Sequence, residues 1–175
     1  VSALMDHGCG TQEAHVKIVA EELCVPVEKV NIIKADTGTT IYDVCTHASR
    51  GVYSGGGAAL KVAGKVKTQI REFAARILDA YPHAIRIRYD EENDRTVIYA
   101  EGIEGREVTY REVAETARHK NWGTVSALAS SRPPSCPPHL TGYFTAVEGA
   151  TGTGTVQPLT VVAGAGIGTV VNPPP

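Results

Sequence analysis

The sequence predicts an α+β fold with a mixed or antiparallel sheet, two helices that follow Gly-rich loops, and a third short helix. Two segments carry apolar residues every three or four positions, which is typical of helices that are buried on one face. Other segments alternate apolar and polar residues on either side of turn sequences, which indicates antiparallel strands. No βα unit repeats along the chain, so the pattern does not favour a parallel sheet.

The two longer helices are predicted at residues 13–23 and 58–81. Pro26 follows the first helix and Pro82 follows the second, and proline cannot continue a helix because it lacks the backbone N–H. Between the helices, apolar residues predict a short buried strand at 30–33. The Gly-, Thr- and Ser-rich residues 36–57 are expected to form a loop.

The second half of the chain contains two strand pairs and one short helix. "AIRIRYD" and "RTVIYAEG" flank the turn-like "EENDR" and predict a hairpin, after which "REVTY" predicts a further strand. Thr109 and Glu112 have the spacing of a capping box, which predicts a helix that runs to about residue 119. "GYFTAVE" and "TVQPLTVVAGA", joined by "GATGTGT", predict a second strand pair.

We interpret the chain as one partial domain, residues 1–175, with several parts. A region of Gly-rich loops and helices (1–82) is followed by the hairpin and short helix (83–132), a Pro-rich connector (133–139) and the final strand pair (140–175). The chain opens without methionine and stops on "NPPP", so we expect it to be part of something larger.

Composition excludes several classes of protein. The net charge of -2 gives no basic surface for nucleic acid or for an anionic membrane. The longest apolar runs are short and Gly-rich, so no transmembrane segment is predicted, and no secretory leader is recognised. The 4 cysteines are scattered without a C-x-x-C pair, which disfavours a zinc knuckle or an iron–sulfur cluster and makes a reduced, cytoplasmic protein the default.

Two glycine clusters each precede a predicted helix: Gly8-Cys9-Gly10 and Gly55-Gly56-Gly57. Glycine lets a backbone approach a ligand closely, and a helix N-terminus offers unpaired N–H groups at the positive end of its dipole. The pattern therefore suits a ligand with phosphate, or with many carbonyl and ring-nitrogen groups. The alternative is that these glycines only form turns.

Two other chemistries stay open. Imidazole and thiol groups are zinc ligands, so a metal site is an alternative, although the residues share no recognised spacing. Its candidate ligands are His7, Cys9, His15, Cys45 and His47. Alternatively, Cys9 is a nucleophile paired with His7, since a thiol at a helix N-terminus has a depressed pKa.

Four stretches, in order, resemble the molybdopterin-binding large subunit of the xanthine dehydrogenase/aldehyde oxidase family. "MDHGCGTQEAHVKIVAEELCVPVEKVNIIKADTGTT" is similar to a pattern that begins D-x-G-Q-G and continues through A-E-x-L-G-[IV]-P. "THASRGVYSGGGAALKVA" resembles the T-x-[GA]-S-R loop that leads into a long helix. "VTYREVAETA" resembles I-S-Y-x-[ED]-[VI]-A, and "YFTAVEGATGTGTVQPLTVVAGAGIGTVVNP" resembles the closing strand pair of the family.

The resemblance implies that these loops hold the pyranopterin of the molybdenum cofactor, chiefly through backbone groups. It implies hydroxylation of an electron-poor carbon, with electrons leaving through iron–sulfur clusters and FAD on other subunits or domains. The expected partners are the rest of the molybdenum subunit and the iron–sulfur and flavin subunits. The resemblance implies no catalytic residue and no metal ligand in this chain. The cofactor-binding residues that it implies are Gly8, Cys9, Gly10, Thr46, Ala48, Ser49, Arg50, Gly55, Gly56 and Gly57.

The sequence also departs from the family pattern. Cys9 stands where the family has Gln, and Glu13 stands where it usually has Thr. The G-G-x-x-[HF] loop and the G-x-G-E loop with its glutamate base are missing from these 175 residues. We therefore expect the chain alone to be inactive, and a non-catalytic assembly module is the alternative. If one pterin reaches both glycine clusters, Gly10 and Gly56 should lie beside one cleft.

Overall fold

The computed structural model describes residues 1–135, 138, 140–166 and 168–170. They belong to two compact units, Val1–Pro134 and Ser135–Pro175. The described residues form three α-helices and two small antiparallel sheets, an α+β arrangement that confirms the predicted fold class. None of the described helices is long and apolar enough to cross a membrane.

Helices α1 (Thr11–Glu22) and α2 (Gly57–Leu78) occupy the first unit. Both were predicted from their apolar periodicity, and α1 starts two residues before the predicted position. A π-helical segment, Gly51–Gly56, runs directly into α2. The prediction of a loop throughout 36–57 is therefore wrong for its last seven residues, 51–57.

The sheet of the first unit contains β1 (Ile85–Asp90), β2 (Arg95–Ala100) and β3 (Glu107–Thr109), antiparallel and in that order. The apolar face of the sheet packs against α2 and against α3 (Tyr110–His119). The side chains that form this core come from the sheet and from both helices. They include Ile70, Phe73, Leu78, Ile85, Ile98, Val113 and Ala117.

The predicted capping box at the start of α3 is confirmed. The Thr109 hydroxyl accepts a hydrogen bond from the Glu112 backbone N–H, and the Glu112 carboxylate accepts one from the Thr109 N–H at 2.7 Å. The bond from the Thr109 N–H, together with one that the Thr109 hydroxyl donates to the same carboxylate at 2.8 Å, holds the pKa of Glu112 below its usual range. Two N–H groups that have no partner within the helix are satisfied in this way.

The predicted strand at 30–33 is wrong. Val30 has an extended backbone, but a strand also needs a neighbour to complete its hydrogen-bond ladder. Within the described part of the chain, residues 30–33 pair with no strand; the Ser2 N–H donates to the Ile33 carbonyl at 3.2 Å. Ile33 is 60% exposed, so the segment is not buried as expected.

The second unit contains β4 (Leu140–Ala150) and β5 (Thr155–Gly166), an antiparallel pair that confirms the predicted final hairpin. Its register shifts between Ala146 and Val147, because Leu159 has no partner on the opposite strand. In the Pro-rich connector, residues 136, 137 and 139 lie outside the described residues.

Candidate functional site

Helix α1 and the π-helical segment run parallel, so that both begin at the same end. Thr11 lies against Gly51, His15 lies against Gly55, and Ile18 lies against Gly56. At the far end, Lys67 of α2 pairs with Glu22 at 3.2 Å. Two positive helix ends therefore lie side by side, and the second helical start is at Gly51 and not at residue 58 as predicted.

The loop in front of α1 needs its two glycines because of their backbone angles. Gly8 has φ +92° and Gly10 has φ +70°, both in the left-handed region that side chains disfavour. A Cβ at either position would meet nothing within 4 Å. This loop therefore presents bare backbone to open space, which is the feature that a ligand held by backbone groups requires.

Asp6 organises this loop. Its carboxylate accepts hydrogen bonds from the backbone N–H groups of Gly8 at 2.8 Å, Cys9 at 2.9 Å and Gln12 at 3.1 Å. These bonds, that from Gln12 foremost, hold the pKa of Asp6 below its usual range. Our sequence interpretation missed this residue, although Asp followed two positions later by Gly is typical of an Asx turn.

The Cys9 thiol is exposed and lies 3.0 Å from the Thr11 hydroxyl. That contact first, and the backbone N–H groups of His7 and Thr11 as well, lower the pKa of Cys9. These contacts therefore make the Cys9 thiol easier to deprotonate than an ordinary cysteine, although the negative charge of Asp6 opposes this. The sequence suggested His7 as a base, but the thiol contacts Thr11 and Asp6 instead.

The second predicted loop is joined directly to the first. The Thr46 hydroxyl donates a hydrogen bond to the Met5 carbonyl. Two consecutive residues of this loop, Ala48 (φ 48°) and Ser49 (φ 57°), are left-handed without being glycine. Such backbone is uncommon outside functional or tightly constrained segments.

Arg50 closes the second loop on itself. Its guanidinium donates to Asp43 Oδ1 at 2.6 Å and to the Cys45 carbonyl at 2.7 Å. The hydrogen bond with Asp43 is the main reason that the pKa of Arg50 is raised. Arg50 therefore fixes the loop shape through an internal ion pair.

Gly55, Gly56 and Gly57 do not face open space. A Cβ on Gly55 would lie 2.7 Å from His15 Nε2, and one on Gly56 would lie 2.9 Å from Ile18 Cδ1. A Cβ on Gly57 would lie 2.9 Å from the Ser131 hydroxyl. These glycines allow close packing around the start of α2, whereas Gly8 and Gly10 leave backbone open.

The metal site that the sequence left open as an alternative does not form among the residues that the structure describes. His15 is buried, and its Nε2–H donates to the Gly51 carbonyl at 3.1 Å, so this imidazole joins α1 to the π-helical segment. In the part of the chain that the structure describes, no three His, Cys, Asp or Glu side chains converge to hold a metal. Cys9, Cys24 and Cys45 are free thiols, and Cys136 lies outside the described residues.

A cleft of about 460 Å³ lies beside the two helices. Its volume is within the range of about 300–1,000 Å³ that is usual for small-molecule sites. Val16, Val19 and Val62 line its apolar part, whereas Arg50 and Ser54 belong to its polar lining. The lining includes Gly55 but neither Gly10 nor Gly56, so this cleft does not meet the expectation that both glycines border one cleft, and the cleft and the open glycine loop are distinct features.

Comparison with known proteins assigns the whole chain to one family. A family model described as "Molybdopterin cofactor-binding domain" matches residues 1–174. The chain is 29% identical over 113 residues to the carbon monoxide dehydrogenase large chain of Hydrogenophaga pseudoflava, covering 65% of this chain and 13% of that one. It is 34% identical over 80 residues to the 6-hydroxypseudooxynicotine dehydrogenase complex subunit gamma of Paenarthrobacter nicotinovorans, covering 46% and 10%.

Solved structures show the same fold. The carbon monoxide dehydrogenase of Oligotropha carboxidovorans superposes with a TM-score of 0.72 at 21% identity, covering 97% of this chain and 21% of that chain. Quinoline 2-oxidoreductase from Pseudomonas putida 86 superposes with a TM-score of 0.74 at 24% identity, covering 97% and 22%. The chain thus spans about a fifth of these structures, and 13% or less of the two relatives above.

Proposed function

Because the chain belongs to the molybdopterin cofactor-binding domain family, we propose that it supplies one wall of the cofactor site in a molybdenum-hydroxylase-type large subunit. The observation that carries this proposal is the open Gly8–Gly10 backbone beside two parallel helix starts. Such a backbone suits a pterin with its many hydrogen-bonding ring atoms and its phosphate. The cofactor would supply the redox chemistry, and this chain would orient it.

The ten predicted site residues take different parts in this proposal. Backbone groups of Gly8, Cys9 and Gly10 face the cofactor, except the Gly8 and Cys9 N–H, which donate to Asp6. Those of Thr46, Ala48 and Ser49 extend the same wall, since Thr46 joins the two loops. In this proposal Arg50 and the three glycines 55–57 do not face the cofactor themselves but position the segments that do. The Arg50 guanidinium shapes its loop, Gly55 and Gly56 let the two helix starts approach each other, and Gly57 leaves room for the Ser131 hydroxyl.

For the complete enzyme we propose hydroxylation of the xanthine dehydrogenase/aldehyde oxidase type, with iron–sulfur and flavin partners that carry electrons away. Relatives named as a large chain and as a complex subunit support an assembly of several subunits. The 175 residues carry no C-x-x-C pair for a cluster, so the electron exit would lie elsewhere. We propose the cytoplasm as its compartment and residues 1–175 as one partial domain, to which the family match over 1–174 lends support.

The test is cofactor loading in an assembled subunit. The chain is co-expressed with a polypeptide that carries the remaining walls, and molybdenum and pterin are quantified in the purified complex. Gly10→Ala should lower the cofactor content several-fold, because φ +70° strains alanine and the loop would move. Gly102→Ala is the matched control, since Gly102 has φ +82° and equally open surroundings in a turn after β2.

Equal loading of both variants would contradict the proposed role of the loop. Stoichiometric molybdenum on the 175-residue chain alone, with reduction of a dye acceptor, would contradict the proposal that it is only one wall. A complex that assembles fully but never carries cofactor would favour the second candidate, a non-catalytic assembly module. Glu13 supports that candidate, because its carboxylate places negative charge in the first turn of α1.

A further inference from the structure

We propose that the β4–β5 hairpin, residues 140–166, is an assembly surface whose edges pair with strands of the remaining part of a molybdenum-cofactor-binding large subunit. This inference rests on the family membership and on the hairpin itself. It does not rest on cofactor binding, so either proposal can fail without the other.

Both faces of the hairpin are apolar and exposed. Phe144, opposite Val162, is 76% exposed on one face, and Tyr143, opposite Ala163, is 68% exposed on the other. A globular protein covers at least one face of a sheet, and a two-stranded hairpin with both faces in water is at best marginally stable. The sequence of this hairpin therefore fits a sheet that is covered on both sides.

The outer edges of β4 and β5 are also open to pairing with further strands. In the described residues β4 and β5 pair only with each other, so each has an outer row of unpaired N–H and C=O groups. Natural edge strands discourage further pairing with charges and prolines. Between residues 140 and 166 the sequence has a single charged residue, Glu148, and a single proline, Pro158.

The binding partner of this hairpin must cover two faces and two edges. A second copy of the chain, related by a two-fold axis, would pair one edge and leave the other open. A larger body with several strands can cover all four surfaces by adding strands to the edges. In the structural neighbours 97% of this chain superposes within chains of which it covers only 21–22%, so a body of the required size belongs to the same kind of subunit.

The first measurement is amide hydrogen exchange on the 175-residue chain alone and in complex. The probe is the Hydrogenophaga pseudoflava carbon monoxide dehydrogenase large chain without the segment equivalent to this one. We expect residues 140–166 to exchange at least 100-fold more slowly in the complex, whereas β2 amides are protected in both samples. Strong protection of the hairpin in the monomeric chain, or in a homodimer, would overturn the proposal.

The second measurement compares two aromatic side chains of similar exposure. Phe144→Asp should weaken association with the probe at least tenfold, because it places a charge on a face that becomes buried. Tyr81→Asp, at a position that is 74% exposed but outside the hairpin, should leave association unchanged. Protection of β2 amides in both variants verifies that the first unit is folded. No association of the wild-type chain, or equal effects of the two variants, would overturn the proposal.

Discussion

Gly55→Ala tests the close packing of the two parallel helices. The added Cβ would lie 2.7 Å from Nε2 and 2.8 Å from Cε1 of the buried His15 ring. The imidazole would have to move, and its hydrogen bond to the Gly51 carbonyl would be lost or distorted. Overpacking of this kind costs about 1–3 kcal/mol of unfolding free energy. For a domain of this size that corresponds to a midpoint about 2–12 °C lower in thermal denaturation.

Gly64→Ala is the matched control on the same helical run. A Cβ at Gly64 would meet nothing within 4 Å, and the residue lies within α2. Alanine there should stabilise the chain by up to about 1 kcal/mol, because glycine is the poorer helix former. The two substitutions are chemically identical, so their opposite signs isolate the contact with His15.

The assay is urea denaturation followed by circular dichroism at 222 nm, with m-values checked for equality. Gly55→Ala should lower the urea midpoint and Gly64→Ala should raise it. If Gly55→Ala is as stable as Gly64→Ala, then α1 and the π-helical segment are not in close contact at His15. The parallel arrangement of the helix starts, on which the proposed site depends, would then be refuted.

Three further outcomes follow from the same loop and from the start of α3. Hydrogen bonds lower the pKa of Asp6 in the folded chain, so they order the loop fully at pH values above the ordinary carboxyl range. This order is lost as the pH falls through the lowered pKa of Asp6. The amide NMR shift of Gly8 should report the transition, and Asp6→Asn should abolish it. Cys9 should react with a thiol reagent near neutral pH faster than Cys24, because the Thr11 hydroxyl lowers the pKa of the Cys9 thiol. Thr11→Val should therefore slow the reaction of Cys9, whereas Thr11→Ser should not. Thr109→Ala should destabilise the chain by about 1 kcal/mol in urea, whereas Thr109→Ser retains the cap; equal stability of the two variants would count against the capping box.

The elements that the sequence predicted correctly are those whose signal is local. The hairpin at 85–100 has alternating residues and a turn, and β1 pairs with β2 in the register that places Ile87 opposite Ile98. The cap at Thr109 depends on two residues three positions apart. The final strand pair was also predicted, because its turn glycines and β-branched residues are adjacent in sequence.

The errors concern contacts between distant residues. Residues 30–33 have strand-like composition, but a strand is defined by a partner that the local sequence cannot specify. The π-helical segment, Gly51–Gly56, was predicted to be loop because glycine is a poor helix former in isolation. The segment is nevertheless helical, and it needs glycine because α1 lies so close that larger side chains would meet His15 and Ile18. Asp6 is an exception, because its three N–H donors lie only two to six positions away and the local Asx-turn signal in the sequence was not used.

The magnitude of the helix dipoles indicates how this wall would hold a ligand. Two helix ends that each carry about half a positive charge, about 8–10 Å apart in an effective dielectric of 20, repel by only about 0.5 kcal/mol. A single carboxylate at such an end interacts with it by a comparable free energy, and Asp6 already supplies that carboxylate at the start of α1. Little net positive field therefore remains to attract an anion over a distance. Binding would depend instead on short hydrogen bonds to the Gly8–Gly10 backbone groups other than the Gly8 and Cys9 N–H, which already donate to Asp6 and so fix the orientation of the loop. Cofactor retention by the assembled subunit should therefore change little between low and high salt, whereas Asp6→Asn should reduce it.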